Sequence, residues 1–175
     1  VTVLVFGEYQ MRNMKVAAFA AMAAMTASGP AMAATATANL GVSLTVTNQC
    51  TVGAGTLAFG STGLIDANID ATGTFTVRCN RGMVYNISLG AGTGVGATTS
   101  VRKMTGPGGA TVDYSLYTDA GRTVNWGNAN IAATPSEYTA ANSAAATYTV
   151  YGRVAPQDTP PAGAYSDSVL ITVTY

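Results

Sequence analysis

Thr35-Ala36-Thr37-Ala38-Asn39-Leu40-Gly41-Val42-Ser43-Leu44-Thr45-Val46-Thr47 carries the cleanest pattern in this chain, and the fold class is read from it outward. Ala36, Ala38, Leu40, Val42, Leu44 and Val46 fill the even positions, and small or polar residues fill the odd ones. Successive side chains of a strand point to opposite faces, so strict alternation predicts a β-strand with one apolar face. Cys50 continues the same phase. The pattern returns at 56–59, 74–79 (Phe75, Val77, Cys79) and 83–89 (Met83, Tyr85, Ile87, Leu89). It recurs at 112–117 (Val112, Tyr114, Leu116), 147–154 (Tyr148, Val150, Val154) and 168–175 (Val169, Ile171, Val173, Tyr175). Stretches rich in Gly, Pro and Asn at 90–96, 106–109, 127–130 and 156–163 separate these runs, and 133–146 reads as a long loop. Helical periodicity is nearly absent. Short alternating strands between such turns predict an all-β chain, a single immunoglobulin-like β-sandwich.

Upstream of the arm the composition changes. Arg12 and Lys15 precede an Ala-rich apolar run over 16–27, followed by Ser28-Gly29-Pro30-Ala31-Met32-Ala33. A charged start, an apolar centre and an Ala-x-Ala site predict a secretory signal peptide over 11–33, cleaved after Ala33. A membrane anchor fits less well, because the run is shorter than the ~20 residues a span needs and Gly-Pro interrupts it. Met11 reads as the translation start, with 1–10 as untranslated sequence carried in frame.

Export bears on the cysteines. The chain has two, Cys50 and Cys79, and both follow the leader. In an oxidising compartment a disulfide between them is the default. Closing that loop contributes roughly 3–4 kcal/mol on a chain-entropy model.

Composition excludes several function classes. Charged residues make up 9% of the chain, with Lys+Arg and Asp+Glu at 8 each, so no basic face invites nucleic acid. His is absent, which removes the commonest general base and the commonest metal ligand together. Lys103 is the one lysine beyond the leader that could activate a Ser nucleophile. Asp66-Ala67-Asn68-Ile69-Asp70 opens like a calcium loop, but Ala71 and Val77 stand where Gly and Glu are required, so it reads as a solvated turn. Gly92-Thr93-Gly94-Val95-Gly96-Ala97 mimics a dinucleotide fingerprint without opening a helix, and reads as a hairpin turn. Asn86-Ile87-Ser88 is a glycosylation sequon inside an expected strand. Trp126 and the tyrosines suit either a sandwich core or a sugar platform.

Two features bear on assembly. The arm precedes the first cysteine by a long margin, and the last strand runs to Tyr175. A sandwich of this order is expected to leave a long apolar edge unpaired, a feature that proteins normally avoid. The arm of a second copy could cover it. At ~3.3 Å per residue, 35–47 reaches roughly 40 Å, enough to cross a sandwich.

The chain resembles the spore coat protein U domain family, which includes subunits of archaic chaperone–usher pili. The resemblance covers everything after the leader. It is carried by the arm leading into Asn48-Gln49-Cys50-Thr51-Val52-Gly53, by Phe75-Thr76-Val77-Arg78-Cys79, and by the close, Pro161-Ala162-Gly163-Ala164-Tyr165-Ser166-Asp167-Ser168-Val169-Leu170-Ile171-Thr172-Val173-Thr174-Tyr175. Tyr114-Ser115-Leu116-Tyr117-Thr118-Asp119 and Asn125-Trp126-Gly127 fit as well.

The resemblance implies an incomplete sandwich over 49–175, missing its final strand, with a donor-strand arm over 34–48. Ala36, Ala38, Leu40, Val42, Leu44 and Val46 would be the inserted side chains. Val169, Ile171, Val173 and Tyr175 would border the groove and meet a periplasmic chaperone. An outer-membrane usher would exchange that chaperone for the arm of the next copy. Gly41 departs from the strongest arms of the family, since glycine weakens a strand interior. The expected function is a structural subunit of a secreted surface fibre supporting adhesion and biofilm formation, with no enzymatic activity, cofactor, metal or small-molecule substrate. A spore or cyst coat protein is the alternative, and a sugar-binding adhesin module a more distant one.

Overall fold

The computed structural model describes residues 32–127 and 137–175. The expected start region 1–10 and nearly all of the leader, with part of the turn at 127–130, lie outside the described residues. The chain divides between Ser43 and Leu44 into two units.

Among the described residues, the second unit holds eight strands: β1 (Cys50–Thr56), β2 (Ile69–Cys79), β3 (Val84–Leu89), β4 (Arg102–Thr105), β5 (Thr111–Tyr117), β6 (Tyr138–Thr139), β7 (Ala146–Val154) and β8 (Ile171–Thr174). A five-stranded sheet runs in the order β1-β2-β7-β5-β4, and a three-stranded sheet in the order β6-β3-β8. Every pairing is antiparallel.

Alternation places the core between the sheets. Phe75, Val77 and Cys79 of β2, Tyr85, Ile87 and Leu89 of β3, and Val112, Tyr114 and Leu116 of β5 are buried. Their neighbours Thr74 and Arg78 face outward. Trp126 ties the layers together: its backbone N–H donates to the Leu116 carbonyl at 2.8 Å. Its indole N–H donates to the Ile87 carbonyl at 3.1 Å. Trp126 is only 2% exposed and packs on Phe75, so it belongs to the core and offers no sugar platform. Cys50 and Cys79 are disulfide-bonded and join β1 to β2.

Five expectations change. The strand expected at 35–47 is not formed: residues 32–49 are neither helix nor strand, because within one chain they pair with no other strand. The strand expected at 56–59 is instead β1, displaced toward the disulfide, and Leu57 and Phe59 leave the ladder half-buried. They can turn inward because Gly152 on β7 has no side chain; a Cβ there would lie 2.8 Å from the Phe59 ring. β1 also passes so close to Gly73 that a Cβ there would collide with the Thr56 carbonyl. The last strand covers four residues, 171–174, rather than eight. Within the expected loop 133–146, Tyr138 and Thr139 pair with Val84 and Tyr85. Tyr138 is held there by ring contacts with Tyr85 and Tyr148. Asp70, placed in a solvated turn by sequence, lies in β2 and binds Arg153 at 2.7 Å.

β4 went unforeseen because its sequence, Arg-Lys-Met-Thr, has no apolar alternation. Its first residue, Arg102, is fully buried. Nε donates to the Gly90 carbonyl at 2.7 Å, and one Nη donates to the carbonyls of Leu89 and Trp126 at 3.0 and 2.6 Å. Arg102 thus satisfies the backbone where β3 ends and the Trp126 segment crosses. Arg102→Met is expected to orphan three carbonyls and to cost about 3 kcal/mol, lowering the melting temperature by roughly 10 °C. Thermal unfolding of a monomer completed by a fused strand measures it, and an unchanged midpoint would remove Arg102 from the structural argument.

Candidate functional site

An open groove of about 1030 Å³ lies in the second unit. Its walls include Leu57, Phe59, Phe75, Leu116, Val169 and Ile171. The strand order explains its place. β1 pairs only with β2, and β8 pairs only with β3, so each presents one free edge among the described residues. Unpaired strands at the ends of both sheets leave backbone groups without partners along that side, and half-buried side chains such as Leu57, Phe59 and Val169 line the opening above the buried core.

Of the expected groove residues, Val169 and Ile171 line the cleft and are half-buried. Val173, in β8, is partly buried and packs on the core without lining the cleft. Tyr175 follows the end of β8 and is 58% exposed, so its ring forms no part of the wall. Leu57 and Phe59 were missed as wall residues, because sequence alternation placed them in a ladder. The signal that could have found them is Gly152, an interruption in the buried face of β7.

The strap between β7 and β8 shapes the cleft from the other side. Ser166 bridges to Thr105 on β4 with reciprocal backbone bonds of 2.9 and 3.1 Å. Asp167 lines the groove and holds the strap. It accepts the Thr93 N–H at 2.7 Å, the Thr93 hydroxyl at 2.8 Å, the Tyr114 hydroxyl at 2.8 Å and the Ser168 N–H at 2.7 Å. Desolvation alone would push its carboxyl up, but these donors outweigh that and hold it below the usual carboxylate range. Burial pushes the Tyr114 hydroxyl well up, and its bond to Asp167 adds to the effect. The pair is therefore phenol and carboxylate at neutral pH, a fixed polar anchor in an apolar wall. No group of His, Cys, Asp or Glu among the described residues is arranged to hold a metal ion.

The arm has the opposite character. Residues 32–49 form no helix or strand, and every one is exposed. Leu40, Val42, Leu44 and Val46 are 88, 86, 88 and 72% exposed. Four large apolar side chains in one phase, all in water, are what a folded protein does not ordinarily leave uncovered. At the foot of the arm the chain is fastened. The Gln49 N–H donates to the Asn80 side-chain oxygen at 2.6 Å, and the Asn80 N–H returns to the Gln49 carbonyl at 3.2 Å.

The spore coat protein U domain family matches residues 36–172. Protein U of Myxococcus xanthus is 33% identical over 175 residues, covering 91% of this chain and 96% of that protein. Among solved structures, a chain of the CsuC–CsuE chaperone–tip adhesion subunit pre-assembly complex, from the archaic chaperone-usher Csu pili of Acinetobacter baumannii, has a TM-score of 0.50 at 23% identity. That match covers 75% of this chain and 40% of the solved one, and it bears on the fold.

Proposed function

Because the chain belongs to the spore coat protein U domain family, we propose that it is a structural subunit of a secreted surface fibre of the archaic chaperone–usher kind, polymerising by inserting its arm into the groove of the next copy. One observation carries this reading. The same chain holds an apolar groove between two free strand edges and an exposed arm with a single apolar phase. Strand addition takes affinity from main-chain hydrogen bonds and selectivity from pockets for alternate side chains. Ala36, Ala38, Leu40, Val42, Leu44 and Val46 would enter, and Val169 and Ile171 would receive them. The backbone of β8 would form the ladder. An arm of 36–47 is one residue longer than the 11 residues of β2, the longest strand described, so it can traverse the sandwich at ~3.3 Å per residue.

An uncovered groove needs an occupant before assembly. A periplasmic chaperone strand suits that role, and an outer-membrane usher would carry out the exchange. Fibres on the cell surface, supporting adhesion and biofilm formation, follow from this order of events. The domain order is the leader over 11–33, the arm over 34–48 and the receiving sandwich over 49–175. The role is mechanical, with no chemistry asked of any side chain.

Deletion of 36–47 tests the reading. The full chain should begin at Ala34 after export and form polymers that resist detergent at room temperature. The deleted chain should remain a chaperone-bound single subunit. Polymers of the deleted chain on a detergent gel would overturn the proposal. The likeness to Protein U favours a second setting for the same assembly, a spore or cyst coat. Chaperone and usher genes beside this one would decide for the surface fibre.

A further inference from the structure

The charged side chains beyond the leader are few, and most are already engaged. Arg102 is spent on carbonyls, Lys103 pairs with Asp113 at 2.6 Å, and Arg122 and Arg153 share Asp70 at 3.2 and 2.7 Å. Asp119 accepts the N–H groups of Thr123 and Val124 in its own loop, and Asp167 is held as described. Glu137 is exposed and has no ion-pair partner among the described residues; it precedes β6, which pairs with the start of β3 at the lateral edge of the smaller sheet. Arg78, Arg81, Asp66 and Asp158 remain, and of these Arg78 also donates its Nε to the Ser143 carbonyl at 2.7 Å. All four are exposed, and none has an ion-pair partner among the described residues.

These four sort by sign to opposite ends of the sandwich. β2 runs from Ile69 to Cys79. Arg78 and Arg81 flank Cys79 and Asn80, the residues that bind Cys50 and Gln49 at the foot of the arm. Asp66 precedes the other end of β2, where Ile69 pairs with Val154 at the end of β7. Asp158 lies on the chain leaving β7. The Ile65 N–H donates to the Thr159 hydroxyl at 2.9 Å and the Gln157 N–H to the Ile65 carbonyl at 3.0 Å, which ties the two acidic segments together. Ile65 and Thr159, immediate neighbours of the two aspartates, line the groove.

We infer that Arg78 and Arg81 at the arm end of one copy meet Asp66 and Asp158 at the far end of the copy that receives its arm, forming a charged joint that sets the polarity of the fibre. The inference rests on the strand-insertion reading. β3 leads away from the arm end, and β8 runs antiparallel to it, back toward that end. An inserted arm lying antiparallel to β8 therefore finishes at the acidic end and brings its own Arg78 and Arg81 there. An arm lying parallel to β8 would finish at the basic end, with arginines facing arginines beside the acceptor's own arm. Exposed pairs of this kind contribute little to stability and much to orientation, and like charges face to face disfavour the reverse docking.

Carbodiimide coupling, which joins an amine directly to a carboxylate, tests the joint. Guanidinium does not couple, so the charge-conserving R78K/R81K variant is used. Within one subunit the two ends lie roughly 35 Å apart along β2, too far for a direct bond, so coupling reports only a neighbouring copy. Fibres of R78K/R81K should yield peptides joined between residue 78 or 81 and Asp66 or Asp158, absent once D66N/D158N is added. Reversal by R78E/R81E should slow polymer formation roughly 2- to 30-fold, and adding D66R/D158R should restore it. Fibres that form without those joined peptides, or a fourfold swap no faster than the double reversal, would overturn the joint. Strand insertion would stand in either case, because fibre formation itself reports it.

Discussion

Leu44→Asp is expected to abolish fibres, whereas Ser43→Asp still assembles. Both substitutions add one carboxylate to the same arm, one position apart. In a strand the two side chains face opposite sides, so only the even phase enters the groove. Leu44 would enter a groove whose walls include Phe75 and Leu116, and no lysine or arginine lines that groove to neutralise a carboxylate. Burying an unpaired charge costs several kcal/mol or forces protonation, and each 1.4 kcal/mol is tenfold in an association constant. Ser43→Asp faces solvent or the rim and costs little. Leu44 is 88% exposed within its own subunit, so folding, export and chaperone binding should survive in both variants. Electron microscopy of surface fibres with subunit immunoblots gives the outcome. Like behaviour of the two variants, in either direction, would remove the main support for an alternating arm.

The second large effect concerns stability. A copy of 36–47 joined after Tyr175 through a flexible linker should convert an unstable subunit into a stable monomer. Four large side chains entering an apolar groove contribute a gross ~6–12 kcal/mol at ~1.5–3 kcal/mol each, before ordering costs. That is comparable to the whole stability of an ordinary domain. The core reaches the groove directly, since Phe75, Leu89, Val112 and Leu116 are buried residues that also line it. Filling the groove therefore completes the core. The midpoint of denaturant unfolding, compared with that of the chaperone-free subunit lacking the copy, measures the gain. Equal midpoints would mean that the groove is not the missing part of the fold.

Sequence alone determined the strand faces, because period two is a local property that shows wherever one side of a strand meets the core. Phe75, Val77, Tyr85, Ile87, Leu89, Val112, Tyr114 and Leu116 were all legible in this way, and each is buried. The arm alternates in the same way, but residues 32–49 form no strand within the single chain, so its phase has no core to register against there. Tertiary structure decided what depends on residues far apart in the chain. β4 is a strand because Arg102 lies opposite Tyr114 and is buried among three distant carbonyls, and no local pattern encodes that. Leu57 and Phe59 leave their ladder for a space that Gly152, almost a hundred residues later, keeps open. Tyr138 and Thr139 join a sheet because Tyr85 and Tyr148 supply ring contacts for which a polar loop composition gives no hint. The groove belongs to the same class. It exists because β1 and β8, the first and last of the described strands, both lie at sheet edges, and strand order is set by the packing of two layers that no single segment contains.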